Sequence, residues 1–458
     1  MPLLIKNGRI ITATDDYHAD LYCAGAVITR IDAAIDPASC APGAKVIDAA
    51  GKYIFPGFID PHVHIYLPFM GTYAKDTWES AGRAALIGGT TSLIEMICPA
   101  KTDEPLAAFE TWLGKAKGIA PCDYTFHMGV TRYDDLAERQ LRDIVKRGIR
   151  SFKVFLAYKG ALGVDDRELY HTLKLAKELG VIVTAHCENE TLVAERQAEL
   201  LAAGKTGPEW HEPSRPVQVE AEGVHHLLSF AELTGAEVYI VHTSCDEAVN
   251  EALCGISRGV RANIEVVLPH LILDKTYAEK PGFEGAKYIM SPPLRDHHQQ
   301  HRLWSHLRSR AVATVATDHA PFDFETQKTM GRDAFTRIPN GIPSVEDRVN
   351  LLYTHGVCTG RIDLHTFVDA ASSRAARIFG LKGKGAIAVG ADADLVVYDP
   401  AYRGKISAKT HHMATDYSAF EGWETKGRPS AVTVRGVIMA RDGQFVGPPG
   451  HGHLIPRA

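Results

Sequence analysis

The chain has 458 residues, 45% of them hydrophobic and 23% charged, with a formal net charge of −5 at pH 7. One hydrophobic core stops growing at roughly 250–300 residues, so we expect a large domain with a smaller one beside it. No apolar run approaches the roughly 18 residues of a membrane span, and no basic block offers a surface for nucleic acid. We therefore expect neither a membrane protein nor a nucleic-acid-binding protein.

The cysteines and the N-terminus bear on the compartment. Eight cysteines are scattered along the chain without paired spacing, at positions 23, 40, 98, 122, 187, 245, 254 and 358. This pattern is typical of reduced thiols rather than of a disulfide framework. The first eight residues have too short an apolar run for a signal peptide. A cytoplasmic location is predicted.

Short strand patterns recur along most of the chain. Three of them precede residue 53, at Leu3–Ile10, Ala26–Ile31 and Ala44–Asp48. Eight more follow, at 57–62, 90–96, 124–130, 150–156, 181–186, 237–242, 260–267 and 312–317. Helical patterns such as Asp165–Leu179 and Val219–Leu233 separate most of these strands. Alternating strands and helices of this number predict an α/β protein with a (β/α)₈ TIM barrel.

The two chain ends are expected to form one smaller domain. Strand patterns return after the barrel, at Ala393–Tyr398, Ser430–Arg435 and Val437–Arg441. Together with the N-terminal strands they predict a β-sandwich. The predicted ranges are 1–52 for the N-terminal part of the sandwich, 53–384 for the hydrolase barrel, and 385–458 for the C-terminal part and a tail. The Gly- and Pro-rich end, with His451 and His453, is predicted to be an extended tail rather than a metal site.

Potential metal ligands stand at the ends of the predicted barrel strands, in the order His62, His64, Lys153, His186, His242 and Asp318. A single histidine on a strand is more often a packed core residue than a ligand. Catalytic groups of a TIM barrel come from the C-terminal ends of its strands, however, and here several ligands coincide at that face. The order predicts a two-metal hydrolase. Histidine and carboxylate ligands suit Zn²⁺, and also Mn²⁺ or Co²⁺.

Lys153 is the unusual member of this set, because a protonated ammonium does not bind a cation. Taken alone, it is best interpreted as a lysine that is salt-bridged inside the barrel. Seven segments of the chain give a further indication: Gly57-Phe-Ile-Asp-Pro-His-Val-His64, Ser151-Phe-Lys-Val-Phe-Leu-Ala-Tyr-Lys159, Ala185-His-Cys-Glu-Asn189, Ser291-Pro-Pro-Leu-Arg295, Asp318-His-Ala-Pro321, Ile338-Pro-Asn-Gly-Ile-Pro343 and His411-His-Met-Ala-Thr-Asp-Tyr417. In these segments the chain resembles the dihydropyrimidinase/D-hydantoinase family of cyclic amidohydrolases, from near its first residue to its last turn.

The resemblance implies a role for Lys153. Its Nζ would be carboxylated (N6-carboxylysine), and the two oxygens of the carbamate would bridge two divalent ions, with Zn²⁺ as the expected metal. One ion would be held by His62, His64 and Asp318. The other would be held by His186 and His242. A hydroxide bridging the two ions would attack the substrate.

The resemblance also implies catalytic and substrate-binding residues. Asp318 would take a proton from the attacking hydroxide and pass it to the departing ring nitrogen. The Tyr158 phenol would donate to the developing oxyanion. Tyr158, Ser291 and Asn340 would bind the cyclic imide. The expected reaction opens a dihydropyrimidine or a 5-substituted hydantoin to an N-carbamoyl amino acid, in an enzyme that the resemblance suggests is a homotetramer.

Three alternative functions make different demands on the sequence. Dihydroorotate carries a carboxylate that calls for a cation, and segment 65–69 has none, which disfavours a dihydroorotase. An allantoinase remains the runner-up, because allantoinases share the ligand set. A non-catalytic scaffold is disfavoured because every ligand is present. Five apolar side chains are expected to line a pocket for the ring substituent, although Tyr66-Leu67 departs from the family pattern in that loop: Ile65, Leu67, Phe69, Phe155 and Leu162.

Overall fold

A computed structural model describes residues 2–457. Its N-terminal part consists of five short strands, which are β1 (Leu3–Ile11), β2 (Asp16–Ala24), β3 (Val27–Asp32), β4 (Lys45–Asp48) and β5 (Tyr53–Pro56). The sequence predicted β1, β3 and β4 and missed the other two. β5 pairs with β1 through Arg9 and Tyr53, and the chain then passes into the barrel.

The barrel has eight parallel strands. They are β6 (Phe58–Val63), β9 (Thr90–Ile97), β10 (Asp123–Gly129), β11 (Ser151–Phe155), β12 (Ile182–His186), β13 (Val238–Ile240), β14 (Ala262–Val267) and β15 (Thr314–Ala316), with a small hairpin of β7 (Pro68–Phe69) and β8 (Thr72–Tyr73) after the first. Each strand pairs with the next in chain order. A parallel bridge between Val63 and His319 brings the last strand back to the first.

Helices cover the outside of the barrel. The α-helices are α1 (Trp78–Ile87), α2 (Pro105–Ala116), α3 (Asp135–Lys146), α4 (Asp166–Leu179), α5 (Glu190–Ala202), α6 (Val217–Thr234), α7 (Asp246–Ser257), α8 (Leu268–Ile272), α9 (His297–Arg308), α10 (Arg348–Leu352), α11 (Leu364–Val368) and α12 (Arg374–Phe379). Two π-helical turns follow α10 and α11, at Tyr353–Val357 and Asp369–Ser373. Short 3₁₀ turns lie at Pro37–Ser39, Pro208–Trp210, Glu212–Ser214, Lys275–Glu279, Glu284–Tyr288, Lys328–Gly331 and Phe335–Arg337. Within residues 2–457, no helix combines the length and apolar character that a membrane crossing requires.

Four further strands complete the second domain. They are β16 (Leu395–Lys405), β17 (Glu424–Val434), β18 (Val437–Arg441) and β19 (Gln444–Phe445). β16 runs antiparallel to β5, with Val396 opposite Phe55, and this pairing joins the strands of both chain ends into one mixed sheet of nine strands. The predicted fold class is confirmed: the TIM barrel is present and both chain ends build one smaller β domain, in which the strands of the predicted β-sandwich form a single mixed sheet of nine strands. The domain ranges 1–52, 53–384 and 385–458 remain a proposal.

Local sequence explains why the barrel elements were recognisable. The barrel strands are buried along their whole length, apart from the first two residues of β14, and they are largely apolar, as parallel strands covered on both faces require. Helix α4 begins at a capping box in which Asp165 accepts from the backbone of Glu168 and the Glu168 side chain accepts from the backbone of Asp165. It ends at Gly180, whose φ of 62° suits a residue without Cβ.

The predicted extended tail is wrong, because the C-terminal end packs against the barrel at the end where the strands begin. The backbone N–H of Gly452 donates to Ala120, and the carbonyl of His453 accepts from Tyr124. A Cβ at Gly452 would meet the carbonyl oxygen of Cys122 at 1.8 Å, so the close approach requires glycine. Arg457 is 3% exposed and donates to Ser151 Oγ at 2.9 Å. The tail is therefore part of the barrel floor.

A buried ion cluster joins the barrel, the sheet and the tail. Lys384 Nζ lies 2.5 Å from Asp123, 2.9 Å from Asp392 and 2.8 Å from Asp394. Asp123 also pairs with Arg435 and accepts from the backbone N–H of His453 at 2.9 Å. The three carboxylates have the spacing of a metal site, but the ammonium already stands among them. This cluster is best interpreted as structural.

Replacing Lys384 tests that interpretation. Lys384→Met removes the cation that neutralises the Asp123 and Asp394 carboxylates, which are only 2% and 3% exposed. Breaking a buried ion pair in this way lowers the free energy of unfolding by about 3–5 kcal/mol. We expect a clearly lower urea midpoint for unfolding. The matched control is Lys382→Met at the exposed lysine two residues earlier, which should unfold as the wild type does. Equal midpoints for the two variants would contradict the role assigned to the cluster.

Candidate active site

A pocket of about 450 Å³ opens where the barrel strands end. It contains nearly all of the residues that the sequence singled out, and those in its lining are His64, Lys153, Tyr158, His186, His242, Ser291, Asp318 and Asn340. His62 is fully buried and lies directly beneath, with its ring centroid 5.2 Å from that of His64 and 5.4 Å from that of His242. The structure thus brings all nine predicted site residues together. Their chemical roles are a separate question.

One group of potential ligands is formed by the first and last strands. The Nε2 atoms of His62 and His64 each lie 3.2 Å from Asp318 Oδ1. These three side chains offer ligand atoms within 4.8 Å of one another. Burial raises the pKa of Asp318, but the two histidines lower it further, to about 2, so the carboxylate is ionised at neutral pH. This group presents the charge and the atoms that a divalent cation requires.

A second group is formed by His186 and His242 on neighbouring strands. The Nδ1 atom of His186 lies 2.9 Å from Nε2 of His242. Burial lowers the pKa of both imidazoles, and it lowers that of His242 well below the usual value. Both rings are therefore neutral at neutral pH, which is the form that binds metals.

Two buried carboxylates hold these imidazoles from behind. Glu265 Oε1 lies 2.7 Å from Nδ1 of His62, which leaves Nε2 to face the pocket. Glu188 Oε2 lies 2.7 Å from Nε2 of His186 and also pairs with Arg215. Burial raises the pKa of Glu188, but Arg215, His186 and Arg295 together outweigh it and lower that pKa to about 2. A carboxylate behind a histidine fixes its tautomer and its orientation, as in many metal sites.

Lys153 lines the same pocket as the two groups and is fully buried. Its Nζ has no hydrogen-bond partner among the described residues, and it lies 4.7 Å from the centroid of the Phe155 ring. Burial lowers its pKa to about 8. The salt-bridged lysine that the residue alone suggested is not present. A lysine buried without a partner is costly unless chemistry removes its charge.

The backbone is strained at three of the site positions. Tyr158, His242 and Asp318 have φ angles of 62°, 41° and 51°, which L-residues rarely adopt. Specific contacts maintain these angles: the N–H of His242 donates to Glu265 at 2.9 Å, and that of Asp318 donates to the carbonyl of His62 at 3.0 Å. Strain of this kind clusters at functional sites. Here it turns each side chain from the strand end toward the pocket.

Tyr158, Ser291 and Asn340 form the wall that faces the imidazoles. Asn340 Nδ2 donates to Ser291 Oγ at 2.8 Å. Burial raises the pKa of the Tyr158 phenol against the influence of Arg215, whose guanidinium lies 5.6 Å from the ring centroid. The phenol is therefore protonated at neutral pH and is able to donate. This wall offers neutral donors and acceptors only.

The apolar part of the lining corrects one expectation. Leu67, Phe69, Phe155 and Leu162 line the pocket as expected, whereas Ile65 belongs to the core beneath it. Tyr66 points away from the pocket. Its ring stacks on that of Tyr73 and makes a cation–π contact with Lys115, whose Nζ lies 3.7 Å from the ring centroid. Of the two residues that depart from the family pattern, only Leu67 therefore reaches the pocket.

The polar groups left unpaired support a metal site. The buried atoms without a hydrogen-bond partner among residues 2–457 include His62 Nε2, Lys153 Nζ and His242 Nδ1. Native proteins rarely leave such buried atoms unsatisfied, and bound ions are one common explanation. The neutral imidazoles and the ionised Asp318 fit a cation. An ammonium at Lys153 does not, so the fit requires a change of charge at that residue.

Comparison with known proteins decides the family. Residues 53–439 match the Amidohydrolase family. A D-hydantoinase of Geobacillus stearothermophilus is 47% identical over 461 residues, which cover 100% of this chain and 97% of that protein. The chain belongs to the D-hydantoinase/dihydropyrimidinase family of amidohydrolases. A dihydropyrimidinase of Rattus norvegicus is a more distant member, 37% identical over 99% of this chain and 88% of its own length.

Solved structures of this family share the fold. A D-hydantoinase (dihydropyrimidinase) from Thermus sp. is 61% identical, covers 99% of both chains and has a TM-score of 0.97. An L-hydantoinase (dihydropyrimidinase) from Arthrobacter aurescens is 27% identical, with a TM-score of 0.90 over 99% of both chains. Relatives named for opposite enantiomers thus have one fold, so the fold does not decide the stereochemical preference.

Sequence reasoning missed four buried charged residues around the site: Glu188, Arg215, Glu265 and Lys328. Glu188 stood inside a recognised segment, two residues after His186, and its spacing was a usable signal. Glu265 lies on β14, a strand whose end carries no predicted ligand. The only sequence signal for Glu265 was a charged residue within an apolar strand. Arg215 and Lys328 lie in irregular segments without periodic patterns.

Removing the charge behind His62 tests the metal site. Glu265→Gln weakens the partner of His62 Nδ1 and of the His242 backbone, and losses of such partners lower metal affinity by about 10–100-fold. We expect the variant to lose metal to a chelator at a correspondingly lower chelator concentration. Glu232→Gln, at an exposed helix position, is the control. A Glu265→Gln protein with wild-type metal retention would contradict the assignment.

Proposed function

We propose that this protein is a binuclear-metal cyclic amidohydrolase that opens the ring of a dihydropyrimidine or a 5-substituted hydantoin to an N-carbamoyl amino acid. The observation that carries the proposal is the convergence of four imidazoles, an ionised carboxylate and a buried lysine without a hydrogen-bond partner, all lining one pocket except His62, which lies directly beneath it. The family membership supports it, since relatives are named for these activities. The proposal also assigns His62, His64 and Asp318 to one ion and His186 and His242 to the other.

Lys153 is proposed to be carboxylated on Nζ. Carboxylation requires a neutral amine, and burial lowers the pKa of Lys153 to about 8, so part of the population is neutral near pH 7. The product is an anion with two oxygens, placed between the two groups of ligands. This change turns an unfavourable buried cation into a bridging ligand.

Two divalent ions, when bound there, supply hydroxide at neutral pH and polarise the ring carbonyl. The ionised Asp318 is positioned to accept the proton of the attacking water and to return it to the departing ring nitrogen. The protonated Tyr158 donates to the oxygen on which negative charge develops. Ser291 and Asn340 hold the ring through their main-chain N–H and C=O groups. Zn²⁺ is the proposed metal, with Mn²⁺ or Co²⁺ as alternatives.

The charges of the pocket favour a neutral ring. Apart from Lys153, no lysine or arginine of residues 2–457 lines it, and the nearby Arg215 guanidinium is already paired with Glu188 behind Tyr158. A substrate carboxylate would have no cation to bind, which disfavours dihydroorotate. The apolar residues Leu67, Phe69 and Leu162 provide a surface for a substituent on the ring.

Two properties of the whole protein are proposed as well. The eight cysteines are all free, which supports a reducing compartment such as the cytoplasm. A homotetramer is the assembly that the family resemblance suggested, and sedimentation of the purified protein tests it.

Ring opening by the metal-loaded protein tests the reaction. The panel is dihydrouracil, hydantoin, 5-phenylhydantoin, allantoin and dihydroorotate, with Lys153→Ala as the control that lacks the carbamate. We expect the first three rings to open and the variant to lose several orders of magnitude in rate, together with part of its metal. Near-normal turnover by Lys153→Ala would refute the carbamate, and turnover of allantoin alone would favour an allantoinase.

Tyr158→Phe tests the oxyanion donor. Loss of one such donor lowers kcat by about 10²–10³-fold, and we expect that loss with little change in metal content. Tyr73→Phe, at an exposed tyrosine of the β7–β8 hairpin that does not line the pocket, is the matched control. A Tyr158→Phe effect confined to KM would show that the phenol binds the ring without stabilising the transition state.

A further inference from the structure

Lys328 is a buried lysine that the proposed mechanism does not use. It begins a short 3₁₀ turn, Lys328–Gly331, in the long connection after β15, and its side chain is fully buried. Its Nζ donates to three main-chain carbonyls, those of Ile289 at 2.8 Å, Pro339 at 2.7 Å and Gly341 at 2.8 Å. Among the described residues, no carboxylate forms a salt bridge with it. Three carbonyls are therefore its whole hydrogen-bonding environment.

The number of acceptors identifies the form of this side chain. Burial lowers the pKa of Lys328 and so works against its charge. Three carbonyl oxygens at hydrogen-bond distance work in the opposite direction, because only the ammonium has three protons to donate. A neutral amine would leave one carbonyl facing a lone pair. The geometry is thus that of an ammonium ion held by backbone oxygens.

The three carbonyls belong to the two turns that carry the proposed ring-binding residues. Ile289 lies two residues before Ser291, and Pro339 and Gly341 stand on either side of Asn340. The turns also contact each other, since the N–H of Gly341 donates to the carbonyl of Ile289 at 2.9 Å. Lys328 therefore ties together two segments that are distant in the chain and adjacent in the pocket.

The contacts leave the groups that face the ring free. The Pro339 and Gly341 carbonyls, on either side of Asn340, are both bound by Lys328, so Lys328 holds the chain immediately before and after Asn340. Within residues 2–457, neither the backbone N–H nor the carbonyl of Asn340 or Ser291 takes part in a backbone hydrogen bond. Asn340 and Ser291 both line the pocket.

We infer that Lys328 is a positioning residue for ring recognition: its ammonium sets the distance and the relative orientation of the Ser291 and Asn340 turns, and thereby aligns their backbone groups with the cyclic imide. This inference rests on the proposed function, because it concerns the same pocket. It assigns ring alignment to a residue that does not touch the ring. Misplacement of a substrate by about 1 Å costs about 10²-fold in rate, so such alignment is kinetically visible.

The test is Lys328→Met, which keeps the length of the side chain and removes all three donors. We expect kcat/KM to fall by about 10²-fold, and by the same factor for hydantoin, dihydrouracil and 5-phenylhydantoin, because the ring and not its substituent is misaligned. Metal content should stay at the wild-type level. Lys384→Met is the matched control, since it also removes a buried lysine but lies outside the pocket, and it should lose stability without losing kcat/KM.

Each outcome separates this inference from its competitors. A kcat/KM within about threefold of wild type in folded Lys328→Met would overturn it, as would a loss that is explained by lost metal. A lowered kcat/KM in Lys384→Met equal to that in Lys328→Met would show that general destabilisation is the cause, and would also overturn it. A wild type that opens none of the three rings would refute the proposed function, and the inference with it.

A second variant covers a failure of Lys328→Met to fold. Lys328→Gln supplies two N–H donors in place of three, so it should hold two of the three carbonyls and fold more readily. We expect a smaller loss in kcat/KM that is again equal across the three rings. An unchanged kcat/KM in Lys328→Gln, or a loss confined to 5-phenylhydantoin, would contradict the inference.

Discussion

The cost of burying an ammonium ion organises this molecule. Three lysines are almost completely buried, and each meets that cost differently. Lys384 is neutralised by three carboxylates where the two domains meet. Lys328 is solvated by three backbone carbonyls beneath the pocket. Lys153 has no hydrogen-bond partner among the described residues. Because an unpaired buried charge is costly, Lys153 is the position at which carboxylation is proposed.

The same constraint acts on the histidines. Each imidazole that faces the pocket from β6 or β12 has a carboxylate at its other nitrogen, at 2.7 Å from His62 and from His186. Such a pair fixes the tautomer before any ligand arrives, because the nitrogen next to the carboxylate carries the proton. The other nitrogen then presents its lone pair to the pocket. The site is thereby preorganised by groups that themselves contact no substrate.

The sequence predicted the parts of this structure that depend on periodic or local patterns. His186 and Asp318 were identifiable because each stands at the end of an apolar strand in a fold that exposes strand ends at one face, whereas a role for Lys153 came only from the family resemblance. Lys328 was not, because its partners are carbonyls from segments 39 and 11 residues away, and backbone carbonyls have no sequence signature. β5 was missed because it is short and is separated from β6 only by Gly57, so the two strands resemble one run. The packed tail was missed because Gly- and Pro-rich composition also describes a segment that fits closely against a surface.

The tail also shows how far the support of the site extends. Arg457 donates to Ser151 Oγ at 2.9 Å, Ser151 contacts His127 at 2.6 Å, and His127 contacts the carbonyl of Pro61 at 2.9 Å. Pro61 directly precedes His62, and Ser151 lies two residues before Lys153. A continuous chain of buried hydrogen bonds therefore joins the last turn of the protein to two of the strands that carry the proposed ligands. Rigid elements with closely held side chains keep a catalytic geometry more accurately than loops do. In this molecule that rigidity comes from the floor of the barrel as well as from its rim, and so the C-terminal residues belong to the structural basis of the site.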